Sequence, residues 1–366
     1  MTILMTTDTI GGVWTYALDL AAALDRHGLR VVLATMGPLP THEQRRKAAE
    51  AGVELHESDF RLEWMPAAAD DVAGAGEWLL ELNRHFQPDI VHLNGYAHAA
   101  LRWEAPVVVV AHSCVCTWWQ AVRGEAAPAS WDAYRAAVRE GLEAAAAVVA
   151  PTEAMLTALQ EAHGAVDTGH VIPNGRDGTA FLAGEKQPLV MTAGRMWDEA
   201  KNLQTIEAAA AHLPWPVYVA GPDHCEDRHK ARTRHVHCLG SLPSTRVAEW
   251  MSRASIYVLP ARYEPFGLSV VEAALSGCAL ILADIASLRE VWGDAACYVD
   301  ANDARALRRA IRRYIDEPAL MRRMARRARR RARRYTTEAM AQRYMELYET
   351  IHRRGGRMEG AYSCES

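Results

Sequence analysis

No run of about 18 uninterrupted apolar residues occurs in the 366-residue chain, so no membrane-spanning helix is expected. The first residues, Met1-Thr2-Ile3-Leu4-Met5-Thr6, have neither a basic start nor a long apolar run and read as a first strand rather than a secretory leader. The seven cysteines are scattered. Cys114-x-Cys116, and His224-Cys225 with His237-Cys238, are the places where metal ligands gather, and neither has the C-x2-C spacing of a zinc site. A metal is therefore not expected, and reduced thiols fit a cytoplasmic protein. The dinucleotide fingerprint G-x-G-x-x-G is missing, which counts against a nicotinamide enzyme, and an Asp-x-Asp metal motif is missing too.

What is present is ordinary for a folded protein: 50% apolar and 23% charged residues, net charge −4. The length suggests two domains of about 170 residues. Strands are expected at Ile3–Thr6, Arg30–Thr35, Val53–His56, Asp89–Leu93, Val107–Ala111 and Val148–Ala150, with helices at Ala68–His85, Trp131–Ala147 and Glu153–His163. Val171 to Gly175 then reads as a last strand and turn. Such alternation predicts a parallel sheet covered on both faces. The polar, aperiodic stretch 176–187 reads as a hinge between a first domain, 1–175, and a second, 188–335. A helix from Thr337 to Ile351, within 336–352, is expected to return to the first domain, and 353–366 reads as a loose tail.

The most informative stretch is Tyr263-Glu264-Pro265-Phe266-Gly267-Leu268-Ser269-Val270-Val271-Glu272. An apolar run, Ser255 to Pro260, precedes it as a buried strand, and Val270 to Ser276 follows as a helix stopped at Gly277. A tight glycine turn thus opens a helix whose unpaired N–H groups attract an anion. Ser269-x-x-Glu272 also fits a capping box, and Glu264 alone could be a solvated loop charge. Ahead of this motif, strand Leu189 to Ala193 ends in Gly194-Arg195, and Lys201 stands at the expected start of a helix, Asn202–Leu213. A lysine there opposes the helix dipole, so a bound anion explains it better than local stability does. Arginine grips a diphosphate bidentately and lysine adds a point charge. Near the beginning, Asp8-Thr9-Ile10-Gly11-Gly12-Val13 forms a strand-glycine-helix unit of the same kind, weak by itself. His112 ends a strand, where an isolated histidine often serves only to bond a backbone carbonyl.

The Glu-x7-Glu spacing with Pro-Phe-Gly inside it resembles the signature of retaining nucleotide-sugar glycosyltransferases, nearest to glycosyltransferase family 4, the glycogen-synthase and mannosyltransferase-like group 1 transferases. That resemblance covers nearly the whole chain, tightest from Val190 to Asp300 and loosest from Ala51 to Ser130. It implies an α/β GT-B fold, two Rossmann-like parallel-sheet domains facing across a cleft. It also implies transfer of a hexose from a UDP-, GDP- or ADP-sugar to a hydroxyl of a sugar, lipid-linked or small-molecule acceptor, with no metal or other cofactor required. By the same resemblance Arg195 and Lys201 stabilise the departing diphosphate together with the Gly267–Ser269 backbone, Leu268 included, and Phe266 belongs to the same donor-binding stretch. Glu272 takes the ribose hydroxyls, Glu264 the sugar, while His112, Gly11 and Gly12 face the donor from the first domain. A glycoside phosphorylase or sugar-nucleotide epimerase of the same fold, or an inactive binding protein, would share these features.

Two regions stay open. Trp118, Trp119 and Trp131 surround an expected loop, 116–130, and are either packed or an acceptor-side wall. A His- and Arg-rich loop, 222–235, is expected to cap the nucleobase. From Arg305 to Arg334, fourteen arginines stand against Asp316 and Glu317, in a protein of net charge −4. Solvated helices explain this, and docking on anionic lipid at the inner face of the membrane is the other reading. Nucleic acid is not expected, since no recognition motif accompanies the charge.

Overall fold

The computed structural model describes residues 1–222 and 233–362. The chain divides into two compact units, one of Met1–Gln120, Glu125–Gly175 and Thr337 onward, the other of Ala121–Gly124 and Arg176–Thr336. In the first lie β1 (Thr2–Asp8), α1 (Gly12–Arg26), β2 (Arg30–Met36), α2 (His42–Glu50), β3 (Glu54–Glu57), α3 (Ala69–Phe86), β4 (Ile90–Leu93) and β5 (Val107–Val110). They are followed by α4 (Val115–Arg123), α5 (Asp132–Ala144), β6 (Ala147–Ala150), α6 (Glu153–His163) and β7 (Gly169–Val171). Every pairing is parallel, in the order β3-β2-β1-β4-β5-β6-β7. The order reverses between β1 and β4, the crevice where open parallel sheets collect ligands.

The second unit runs β8 (Gln187–Ala193), α7 (Leu203–Ala210), β9 (Val217–Ala220), β10 (His237–Gly240), α8 (Ser244–Arg253), β11 (Ala254–Leu259), α9 (Leu268–Leu275) and β12 (Ala279–Ala283). It continues with α10 (Ala286–Trp292), β13 (Cys297–Val299), α11 (Ala304–Asp316) and α12 (Pro318–Ala332). Its parallel sheet has the order β10-β9-β8-β11-β12-β13, with the reversal between β8 and β11. Burial on both faces follows from the two-residue period: Ile256 and Val258 of β11 join one core with Ile206, Leu307 and Ile311, while Tyr257 and Leu259 join the opposite one with Phe266, Val270 and Trp292.

The last helix, α13 (Thr337–Tyr362), belongs to the first unit. Tyr344 and Tyr348 are fully buried there. Tyr16 Oη donates to Tyr344 Oη at 2.6 Å and lies 3.4 Å from His92 Nε2, while Tyr348 Oη is 2.6 Å from His92 Nδ1. With Tyr348 donating to Nδ1, the network assigns His92 the Nε2–H tautomer. Burial, followed by the proximity of His112, pushes the His92 pKa down to about 3.

Several elements depart from expectation. The segment 116–130 is not all loop, because α4 occupies Val115–Arg123 and buries Cys116 and Thr117. Val115, Thr117 and the two tryptophans are weak helix formers, and packing overrides their preference. The short helix α2 is closed by a capping box between Thr41 and Gln44. Instead of ending at Ile351, α13 continues to Tyr362. Good helix formers flank Gly355-Gly356 and no proline intervenes, so the expected tail from 353 is helical as far as Tyr362. Residues 363–366 lie outside the described residues. In the stretch 176–187, read from the sequence as a hinge, Phe181 is 2% exposed in the second core, and Lys186 Nζ donates to the carbonyls of Ala254 at 2.8 Å and Ser276 at 2.7 Å.

Two outcomes test this description. Because the folded pKa of His92 is depressed, stability is unaffected above pH about 6.5 and falls as pH drops toward 3, the unfolded chain binding a proton that the native one refuses. Denaturation at pH 7 and pH 4.5 should differ by about 2–3 kcal/mol from this group, with a similar share from buried His112, and His92→Asn should reduce the slope without abolishing it; equal slopes would remove His92 as a cause. In α5, a Cβ on Gly141 would lie 2.1 Å from the Tyr96 carbonyl oxygen. Gly141→Ala should therefore lower stability by about 1–3 kcal/mol despite alanine's better helix propensity, and an unchanged urea midpoint would contradict the close approach.

Candidate active site

Both loops that carry the motif leave the second sheet at its reversal point. β8 ends at Ala193 and runs into Gly194-Arg195, then a 3-10 turn, Glu199–Lys201. Asp198 Oδ1 accepts from the Ala200 N–H at 2.9 Å, closing the start of that turn. Asn202, in the left-handed region at φ 58°, follows it. The Asn202 side chain donates to the carbonyls of Pro260 at 3.0 Å and Ala301 at 2.5 Å, and the Arg262 N–H donates to the Ala200 carbonyl at 2.8 Å. The two loops are thereby stitched along their backbones.

Across that seam Lys201 Nζ lies 2.6 Å from Glu264 Oε2, the side chains 14% and 12% exposed. Lys201 ends the 3-10 turn and α7 begins at Leu203, so the lysine precedes the helix rather than occupying its first turn. Its nearest anionic partner in the protein is therefore Glu264, which the expectation had not paired with it. Ser287 Oγ donates to the Glu264 carbonyl at 2.6 Å, holding the loop from its other side.

Gly267 is the N-cap of α9 at φ +88°, a left-handed conformation that side chains rarely adopt. No side chain caps this helix, so the capping-box reading of Ser269 and Glu272 is set aside. Ser269 Oγ is 2.8 Å from Tyr257 Oη instead. Glu272 is the fifth residue of α9 rather than part of its first turn, and its Oε1 accepts from Arg176 Nε at 2.7 Å, with the two side chains 14% and 12% exposed. Phe266 is 3% exposed, its ring set edge-on to Tyr335 at 5.4 Å. Its side chain belongs to the core, which leaves only its backbone to meet a ligand, and Leu268 also packs against that core. Arg195 is more open, at 36%, with Nη2 3.7 Å from Asp198 and its guanidinium 5.6 Å from the Trp197 ring centre.

In the first unit, Gly11 caps α1 at φ 93° and Gly12 is that helix's first residue. Asn94, just past β4, donates through Nδ2 to the Thr6 carbonyl at 2.6 Å and presents Oδ1 to His112 Nε2 at 2.8 Å. The proton on Nε2 is assigned by this network and leaves Nδ1 as an acceptor. Burial pushes the His112 pKa down to about 3. At neutral pH it is a neutral hydrogen-bonding group, and protonation during a reaction would be costly. Trp118 and Trp119 meet edge to face at 5.9 Å on α4, and Trp131 meets Tyr134 at 5.7 Å. Of the expected nucleobase cap, 223–232 lies outside the described residues.

Arg176, Asn202 and Asn94 were not singled out as site residues. Arg176 lay inside a stretch without periodicity, and the two asparagines act by bonds to segments distant in sequence, 58 residues away for Asn202 and Pro260.

Residues 10–179 match the family described as Glycosyltransferase Family 4, and residues 179–331 match Glycosyl transferases group 1. Glycogen synthase of Mycobacterium tuberculosis (strain CDC 1551 / Oshkosh) is 27% identical over 360 residues, 86% of this chain and 84% of that protein. The lipopolysaccharide core biosynthesis mannosyltransferase LpcC of Rhizobium leguminosarum bv. viciae is 34% identical over 128 residues, 31% of this chain and 36% of its own. Among solved structures, sucrose-phosphate synthase from Thermosynechococcus elongatus superimposes with a TM-score of 0.78 at 19% identity, covering 96% of this chain and 99% of that one. Anabaena HepE in complex with UDP-glucose gives 0.77 at 17% identity, covering 96% and 100%. These likenesses establish the GT-B fold, with its two Rossmann-like parallel-sheet halves.

Lys201→Ala, Glu264→Ala and the double variant should not be additive in urea unfolding. A coupling of about 1–3 kcal/mol is expected for a mostly buried pair. Additive costs would mean that the pair contributes nothing jointly.

Proposed function

The chain belongs to the glycosyltransferases, family 4 in its first half and group 1 in its second, and on that premise we propose that it moves a hexose from a nucleotide-diphosphate sugar to an acceptor hydroxyl with retention of configuration. The observation that carries the reading is the buried Lys201–Glu264 pair beside the Gly267 turn of α9. A cation held against a carboxylate at a helix start is a charge pair that a diphosphate can divide. The phosphate oxygens take Lys201 and the first N–H groups of α9, and Glu264, released from the lysine, accepts from sugar hydroxyls.

Arg195 adds a bidentate donor to the same diphosphate. Glu272, oriented by Arg176, accepts from the ribose hydroxyls. As the bond from the anomeric carbon to the phosphate oxygen breaks, negative charge grows on the leaving diphosphate, where these positive groups already stand. The acceptor oxygen attacks from the same face, and its proton passes to the leaving phosphate oxygen. His112, neutral at the pH of the cell, is left a positioning task rather than that of a base. The parts given to His112, Gly11 and Gly12 in donor contact rest on family resemblance alone. Arg195 and Lys201 supply positive charge in the role a metal would otherwise fill, and so a metal-independent reaction is proposed.

The exposed arginines of α11 and α12 form the other half of the proposal. Leu307, Ile311 and Tyr314 hold α11 to the core, and several arginines are engaged locally: Arg327 with Asp294, Arg331 with the Val291 and Glu290 carbonyls, and Arg312 with the His212 carbonyl. Contact of the remaining ones with anionic lipid is supported by charge alone. No helix among the described residues is long and apolar enough to cross a membrane.

Thermal unfolding with UDP, GDP, ADP and their sugars tests the donor class, since binding to the native state alone raises Tm. One base should stabilise the protein selectively, by about 2.7 kcal/mol at a hundredfold excess over Kd, and Lys201→Ala should lose that gain. With an acceptor found, Lys201→Ala and Glu272→Ala should remain folded without releasing nucleotide diphosphate, and NMR of the product should show the donor's anomeric configuration. An inverted linkage, or wild-type rates in either variant, would overturn the mechanism.

A further inference from the structure

Outside the donor loops, the first unit gathers three soft ligands that sequence spacing does not join. Cys114 follows β5, Cys116 is the second residue of α4, and His163 is the last residue of α6, 47 positions beyond Cys116. Their side chains are 2%, 7% and 8% exposed. Cys114 Sγ lies 3.3 Å from His163 Nε2, and one donor atom from each residue falls within 4.8 Å of the other two. Tetrahedral zinc bound by sulfur at 2.3 Å and nitrogen at about 2.05 Å requires S···S near 3.8 Å and S···N near 3.5 Å, so little movement would close the site.

We propose that Cys114, Cys116 and His163 form a binding site for a thiophilic divalent cation of the zinc type, one that clips the β5–α4 loop to the end of α6. Two thiolates and a neutral imidazole cancel the charge of the ion, which is what makes its burial affordable. Three protein ligands leave the fourth position to a small solvent ligand.

His163 Nε2 is the ring nitrogen beside the Cys114 sulfur, and Nδ1, buried without a hydrogen-bond partner among the described residues, would keep the ring proton when Nε2 binds the ion. The framework is also held in place: Thr117 Oγ1 donates to the Cys114 carbonyl at 3.0 Å, and Tyr134 Oη accepts from the Val115 N–H at 3.3 Å. His112 stands two residues before Cys114, so the clip would stiffen the strand end from which that histidine projects.

The experiment uses the full chain, stripped with chelator and kept reduced, then titrated with Co(II) and Zn(II). One equivalent of Co(II) should give visible bands and a near-ultraviolet thiolate charge-transfer band, and Zn(II) should displace it and raise Tm. Cys116→Ser, close in shape and checked by circular dichroism, should weaken Zn(II) binding by more than about 100-fold, beyond what loss of an outer hydrogen-bonding partner costs. His163→Gln should do the same. Absence of the charge-transfer band in the wild-type protein would overturn the proposal, a result that does not depend on any variant folding. So would equal affinity in folded Cys116→Ser, which would assign the ion to the cysteines and histidines elsewhere in the chain.

Discussion

Two opposite charges, Lys201 and Glu264, are held 2.6 Å apart in surroundings that expose neither by more than 14%. Removing an ion from water is costly, and a pair of this kind endures only if its surroundings fix the geometry and satisfy the remaining donors and acceptors. The second unit does so with backbone. Asn202, left-handed at φ 58°, reaches the Pro260 and Ala301 carbonyls, Arg262 bonds Ala200, and Ser287 bonds the Glu264 carbonyl. The Asn202 and Arg262 bonds tie the loop after β8 to the loop after β11 and to the segment after β13, and Ser287 ties the loop after β11 to α10. Breaking one charge would leave the other stranded in a scaffold that cannot easily relax.

The second carboxylate obeys the same logic. Glu272 on α9 accepts from Arg176, which lies near the start of the second unit and whose own N–H bonds the Tyr335 carbonyl near that unit's end. The entry and exit of the chain are therefore connected to one motif glutamate, and the guanidinium of Arg176 also lies 4.9 Å from the ring centre of buried Phe181. A segment that reads as polar and irregular thus carries side chains bound to distant partners: Arg176 to Glu272, and Lys186 to the Ala254 and Ser276 carbonyls.

That contrast marks what could be read from residue order. Periodicity located most strands and helices, since apolar positions at 256–259 or 279–283 have only one use in a parallel sheet. The motif from Tyr263 to Glu272 was legible as strand, turn and helix because Gly267 and the apolar runs around it obey local rules. What escaped was non-local. The pairing of Lys201 with Glu264 spans 63 residues and that of Arg176 with Glu272 spans 96. Neither leaves a trace in spacing. Helix α4 was missed for the opposite reason: its local preferences argue against a helix, and the burial of Cys116 and Thr117 decides otherwise. His163 stayed outside the cysteine pattern because nothing local links the end of α6 to the end of β5.

The placement of α13 bears on how the protein comes into being. The first unit is interrupted: its sheet is complete by Val171, but Tyr344 and Tyr348, which close the cluster around His92 and Tyr16, are made only after the whole of the second unit. During synthesis at about 5–20 residues per second, the second unit has all its own strands and helices before the first receives its last helix. For on the order of ten seconds or more the face of α1 that α13 covers stays open, with Tyr16 and His92 facing solvent or a chaperone. Maturation of the older half thus waits on the younger one.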